Sequence, residues 1–189
     1  MKKRLLDYTL KIRIPLVLFV IVSSFIITFY AGRAERDGIG YQPTQPIKYS
    51  HKLHAGTMGI DCQYCHTGVT KGRHALVPSV NICMNCHTVA RKDRPEIIKL
   101  TDYYEKGIPV PWKRIHQVPK YAYFNHSVHV NRGVACETCH GDVKNMEVVA
   151  QVRSFTMTAC LECHRHPEKQ LGYLDKVNNG PTNCAACHR

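Results

Sequence analysis

The ten cysteines are the residues most able to do chemistry, because each belongs to one of five copies of C-x-x-C-H. These are Cys62/Cys65/His66, Cys83/Cys86/His87, Cys136/Cys139/His140, Cys160/Cys163/His164 and Cys184/Cys187/His188, here numbered sites one to five. Two thiols three residues apart can each add to one vinyl group of a haem. The histidine that follows then lies under the porphyrin, where its imidazole binds the iron as proximal ligand. With ten Cys and twelve His in 189 residues, chance gives about 0.03 such motifs per chain, so five copies need a cause. Paired C-x-x-C also builds zinc ribbons, but those gather four ligands from two separated pairs and have no use for a histidine directly after the second cysteine. A disulfide framework is the other reading of an exported chain with ten cysteines; here no cysteine is left outside a motif. The expected cofactor is five covalently bound c-type haems.

Each iron then has a sixth position to fill. Outside the motifs stand His51, His54, His74, His116, His126, His129 and His166. His51, His54, His116, His126 and His129 are the distal candidates. In each His-x-x-His pair the first histidine is expected to serve the haem attached just downstream and the second a neighbouring haem. His74 and His166 are expected to be spare, and His166 is close to the proximal His164. Met157, three residues before Cys160, is the alternative distal ligand, one that would raise the potential of its haem.

The elements that must position these groups follow from the rest of the chain. Residues 1–13 carry Lys2, Lys3, Arg4, Lys11 and Arg13 against the single acid Asp7, and Ile14 to Ala31 follows with eighteen residues and no charge. As a helix it would span about 27 Å, the thickness of the hydrocarbon layer. A cleaved signal peptide would have a shorter apolar region and a small-x-small cleavage site, and the stretch before Arg33 offers a poor one. The expectation is an uncleaved, single-pass anchor in a bacterial plasma membrane. The flank after it is balanced, Arg33 and Arg36 against Glu35 and Asp37, so the basic N-terminus reads as cytoplasmic and the motifs as lying on the periplasmic or outer side.

Residues 32–49 read as a linker without a core, rich in Gly, Pro, Gln and charge. Beyond it an internal repeat appears. His51-x-x-His54, seven residues, then Cys62 matches His126-x-x-His129, six residues, then Cys136, with Gly59-Ile60 and Gly133-Val134 just ahead of each motif. This gives a first module of two haems over 50–90, a connector over 91–125 and a second module of three haems over 126–189. Fewer than thirty residues per haem cannot wrap each one separately, so the haems themselves must be the core. The expected fold is mostly α, with short helices on the motifs, much irregular backbone and little or no sheet. In the connector, Asp93-x-x-Glu96 reads as a helix N-terminal box with Pro95 in the first turn, Ile97, Ile98 and Tyr104 as one apolar side, and Gly107 and Pro109 as the stop.

With these residues in view, a resemblance can be stated. Pro111-Trp112-Lys113-Arg114-Ile115-His116, Tyr123 to His129, Gly133, Cys136-x-x-Cys139-His140-Gly141, Met146 and Met157-x-x-Cys160-x-x-Cys163-His164 resemble the membrane-anchored pentahaem cytochrome c subunit (ActA) of bacterial alternative complex III, over nearly the whole chain. The two modules are also similar to class III multihaem cytochromes. The resemblance implies an electron-transfer subunit of a quinol:electron acceptor oxidoreductase. Its implied partners are quinol-binding membrane subunits, an iron-sulfur subunit, a monohaem cytochrome c and a terminal oxidase.

Three other functions compete with this one. A pentahaem nitrite reductase attaches its catalytic haem through a motif ending in Lys, and none is present. A stand-alone quinol dehydrogenase of the NapC/NrfH type is the alternative; it usually has four haems, and its closest forms carry Met two residues after the first motif's His, where this chain has Thr67-Gly68. A storage or shuttle cytochrome is disfavoured by the anchor. The formal charge of +12 points to no nucleic-acid partner, because ten haem propionates would offset it and the expected compartment holds no genome.

Overall fold

The computed structural model describes residues 8–31 and 38–188, and the chain divides into two compact units, residues 1–37 and 38–189. In the first unit a π-helical turn, Thr9–Arg13, runs into helix α1, Ile14–Ala31. Together they give a helix of 23 residues with an 18-residue stretch of mean hydropathy 2.4, long and apolar enough to cross a membrane. Phe19 and Phe25 are 70% and 72% exposed, and the helix has no buried residue. The basic residues of 1–7 and the balanced flank at 33–37 lie outside the described residues.

The second unit is built from short helices and irregular backbone, with no strand among the described residues. Its helices are α2 (Cys62–Cys65), α3 (Val80–His87), α4 (Pro95–Glu105), α5 (His126–Val130), α6 (Cys136–His140), α7 (Met157–Arg165) and α8 (Cys184–Cys187). Every C-x-x-C lies on one helical turn. The two thiols, at i and i+3, therefore share a face, and the histidine at i+4 of the first cysteine continues it.

The only buried apolar side chains among the described residues are Ile47, Val69, Met84, Leu100, Val110 and Leu171. Four of them, Ile47, Met84, Leu100 and Val110, form one cluster, with Val80, Cys83, Ile97, Tyr103 and Trp112 packed on it. That is far too little side-chain core for a unit of some 150 residues, which would ordinarily bury about two-thirds of its chain surface. The expectation that the cofactors supply the core agrees with this.

Two expectations are corrected here. Residues 38–49 are not a free linker. Gly40 donates to the Gln151 carbonyl at 2.7 Å, the Gln45 amide group exchanges two hydrogen bonds with the Lys113 backbone, and Lys48 N–H donates to Glu96 at 2.8 Å. Ile47, 5% exposed, sits in the core cluster. One aliphatic residue among prolines and glutamines has no period to betray it. In the connector, the cap of α4 is Arg94 rather than Asp93, with Pro95 at the first helical position. The buried side of α4 is Ile97, Leu100 and Tyr103, while Ile98 and Tyr104 are exposed. Gly107, at φ +65°, does end the helix with Pro109 beyond it.

Candidate haem sites

The two His-x-x-His units are built alike. In the first, the Tyr49 ring lies edge-on to His51 at 4.8 Å and stacks on His54 at 4.4 Å; in the second, Phe124 lies edge-on to His126 at 4.8 Å and stacks on His129 at 4.7 Å. The second histidine of each donates Nδ1–H to the carbonyl four residues back, His54 to Ser50 at 2.8 Å and His129 to Asn125 at 2.7 Å. Both turns close onto a glycine with positive φ, Gly59 at +66° and Gly133 at +83°, the left-handed conformation that glycine adopts without penalty. The extra residue of the first unit is absorbed by the π-helical turn Lys52–Thr57, where Met58 N–H reaches Leu53 O. A π turn holds one residue more than an α turn, so spacings of seven and six deliver the following cysteine to equivalent places.

Carbonyl oxygens only accept, so a histidine whose Nδ1 bonds a carbonyl must carry its proton there, leaving the Nε2 lone pair for a metal. This holds for His54 and His129, and also for His66 with Leu76 (2.7 Å), His87 with Ala90 (3.0 Å), His126 with Arg73 (2.7 Å), His164 with Pro181 (2.7 Å) and His188 with Tyr121 (3.0 Å). Burial pushes His140 down to about 3, with His116 and His126 adding to it, and His51 down to about 4, with His66 adding to it. Both are neutral at physiological pH.

Two imidazoles that share one iron, each with a metal–nitrogen bond of about 2 Å, have ring centres roughly 6 Å apart. Three pairs stand at that separation: His54 and His87 at 6.2 Å, His126 and His140 at 6.4 Å with rings within 2° of parallel, and His129 and His164 at 6.1 Å. His116 lies edge-on to His140 at 4.3 Å, too close for that pair to share an iron. Its Nε2 and the Nδ1 of His51 are the buried side-chain nitrogens without a protein partner, and orphaned buried nitrogens are costly unless something ligates them. The donor set thus fits haem. His74 and His166 are exposed, and His166 lies 3.6 Å from Glu168. Met157 opens α7 and is 64% exposed.

No described cysteine is in a disulfide. Burial raises the Cys136 thiol to about 11, with Cys62 contributing next; burial likewise raises Cys65, Cys83, Cys139, Cys160 and Cys163. Tyr49 and Phe124, the rings that lie against these histidines, were not among the residues expected to shape the sites; the signal was an aromatic two residues before each His-x-x-His.

Comparison with known proteins agrees with this chemistry. The family of cytochrome c7 and related cytochrome c matches residues 122–189. The chain is 28% identical over 169 residues to the menaquinone reductase multihaem cytochrome c subunit of Nitratidesulfovibrio vulgaris Hildenborough, with 78% of each chain covered. It is 26% identical over 142 residues to the high-molecular-weight cytochrome c of the same organism, covering 68% of this chain and 25% of that one. The chain carries a cytochrome c7-like multihaem domain, its cofactor is covalently bound c-type haem, and its function is electron transfer.

Proposed function

We propose that this chain is a pentahaem relay subunit of a membrane quinone oxidoreductase, carrying electrons between a quinone-active membrane partner and a cytochrome or terminal oxidase. The observation that carries the reading is the set of three imidazole pairs at ring separations of 6.1–6.4 Å. An iron held by two imidazoles keeps no position for a substrate, which suits a relay and not a catalyst. When bound, the haems supply one-electron redox chemistry; the protein supplies spacing, ligation and local field.

In this reading the ten motif cysteines hold five haems and His66, His87, His140, His164 and His188 are proximal. His54 is distal at site two, His126 at site three and His129 at site four, which leaves Met157 as packing. His51 serves site one by analogy with His126, and His116 is kept for a remaining position. The domain limits are those given above, with the linker shortened to 32–37. Helix α1 anchors the chain in the plasma membrane, with the N-terminus cytoplasmic and the haem unit outside.

Electrons leave a quinol-oxidising complex through an iron-sulfur partner, as the resemblance to alternative complex III implies. The relative whose name is menaquinone reductase favours the reverse direction, toward menaquinone. Both have this chain as a relay without a quinol site of its own. The test is to add a reduced menaquinol analogue anaerobically to the full chain in mild detergent and follow the haem bands. Full reduction by dithionite but none by the quinol is expected. Rapid, inhibitor-sensitive reduction by the quinol would overturn the relay and make the chain a stand-alone quinol dehydrogenase of the NapC/NrfH type.

A further inference from the structure

We propose that the attachment sites are ordered in space as two, one, three, four, five, so that the first module runs backwards relative to the chain and the path ends at site two and at site five. The inference rests on the relay reading and adds its wiring.

Each neighbour relation has its own contact. Sites one and two meet through the first His-x-x-His turn, with His51 on one and His54 at 6.2 Å from His87 on the other, and through a hydrogen bond from Asn85 of α3 to Tyr64 of α2 at 3.0 Å. Sites three and four are joined in the same way by the second turn. His126 faces His140 and His129 faces His164, and Arg153 binds the carbonyl of Thr138, between the two cysteines of site three, in the vicinity of Cys163.

The two modules touch through sites one and three. Cys62 and Cys136 lie within electrostatic reach of each other. The turn Lys52–Thr57 packs on the turn Val143–Asn145 just after His140, with Lys52 N–H on the Met146 carbonyl at 3.0 Å. The backbone here is so close that a Cβ on Gly56 would stand 2.3 Å from the Lys144 oxygen. Site five follows site four. His164 donates Nδ1–H to Pro181 and its carbonyl accepts from Gly180 at 2.9 Å, three residues ahead of α8. Cys160 also lies within electrostatic reach of Cys187.

Site two is the outlier. Its helix α3 packs on the connector helix α4 and contributes Met84 to the side-chain cluster, so one of its sides is covered by protein. Site five is at the other end, where the Tyr123 amide holds the Cys187 carbonyl at 2.7 Å. An electron crossing the chain moves by single transfers, each oxidising one iron by one electron and reducing its neighbour by one, with no bond made or broken. Reductant and oxidant are the quinol-oxidising partner and the accepting cytochrome.

The test uses the full chain in detergent, fully reduced so that every low-spin iron is diamagnetic. Two-dimensional proton NMR then reads through-space contacts between haem methyl and meso protons. Sites two and four are assigned with His54→Met and His129→Met, each of which replaces one axial ligand. If either variant fails to fold, exchange spectra of partly oxidised wild-type protein trace the methyl sets without substitution. Contacts one–two, one–three, three–four and four–five are expected. A contact between sites two and three without one between one and three, or between site five and either site of the first module, would overturn the order. Fewer than five haem sets, or a high-spin set in the intact protein, would overturn the relay reading and the order with it, whereas five low-spin sets with other neighbours would overturn the order alone.

Discussion

The two His-x-x-His units have the same geometry to within a few tenths of an ångström and a few degrees, yet they stand in different surroundings. The first, around Tyr49, adjoins the largest protein-only cluster of the unit: Ile47 two residues before the tyrosine, Met84 on α3, Leu100 on α4 and Val110. The second, around Phe124, leads to α6, α7 and α8, none of which buries a single residue of its own. The lesson is that a repeated ligand device can be held up by side chains in one copy and by cofactors in the other. Attachment of haem is thus a larger part of the folding of the second module than of the first.

The largest expected effect follows from that contrast. Cys160→Ala with Cys163→Ala removes attachment at site four, and α7, which buries no residue of its own, then keeps only its contacts with the turn Pro167–Lys169 and the segment at Gly180–Pro181. Loss of accumulated protein, or cleavage by protease at residues 150–180 within the time that leaves wild type intact, is the expected result. The matching pair Cys83→Ala with Cys86→Ala leaves Val80, Met84 and α4 in contact, so residues 80–110 should stay protected. Equal protection in both variants would remove the asymmetry. Leu100→Ala works in the opposite sense. It should cost about 2–5 kcal/mol, read as earlier loss of protection in 45–50 and 80–110 on denaturant titration, while the 126–165 region opens at the wild-type midpoint.

Much of this was legible in the chain. Five motifs of one spacing mark the chain as a multihaem cytochrome c with five candidate attachment sites, and the pair of His-x-x-His units marks a repeated local geometry, because the chemistry requires those residues at those intervals. Helix α1 was readable to the residue, since hydrocarbon tolerates no charge for eighteen positions. What escaped was whatever lacks a period: Ile47 in a stretch of Pro and Gln, the aromatic ring behind each ligand pair, and the true face of α4. There Ile98 matches Ile97 in type but lies on the solvent side, while Tyr103 takes the place given to Tyr104. The closeness of His54 to His87 and of His129 to His164 was expected only as service to a neighbour. Spacing alone could not name which neighbour, because the answer depends on how the chain folds back after each motif.

Exchanging the two aromatics sharpens the comparison at smaller scale. Burial, with Cys65 and Cys83 contributing, holds the phenol of Tyr49 well above its usual range, so it stays a neutral hydroxyl. Tyr49→Phe makes the first unit like the second and, with the stack on His54 preserved, should shift unfolding by less than about 0.5 kcal/mol. Phe124→Tyr places a hydroxyl in a half-buried site shaped for a hydrocarbon edge and should cost about 1 kcal/mol or more. Chemical denaturation of both variants checks the inequality. Equal costs would mean that the surroundings of the two rings differ less than their neighbours suggest.

The smallest effect concerns the strap that ties the first unit to the connector. Glu96 accepts from Lys99 Nζ at 2.7 Å and from the Lys48 amide at 2.8 Å, and these two bonds, the lysine's first, hold its carboxyl below the usual range near 4.5. A carboxyl depressed in the fold contributes stability that is fully present above the unfolded value and is lost as pH falls through the folded one. Glu96→Gln keeps the shape and removes the charge. At pH 7 it should cost about 0.5 kcal/mol, since the pair with Lys99 is near the surface. The difference between wild type and variant should shrink as the pH is taken below about 4.5. Hydrogen exchange at the Lys48 amide is the local readout: faster in the variant at pH 7, with the gap closing in acid. In the second unit the amide one residue before the aromatic, that of Tyr123, donates to the Cys187 carbonyl and not to a carboxylate. Acid should therefore loosen the Tyr49 side of the comparison before the Phe124 side, and the reverse order would mean that the first unit is held by its buried cluster alone.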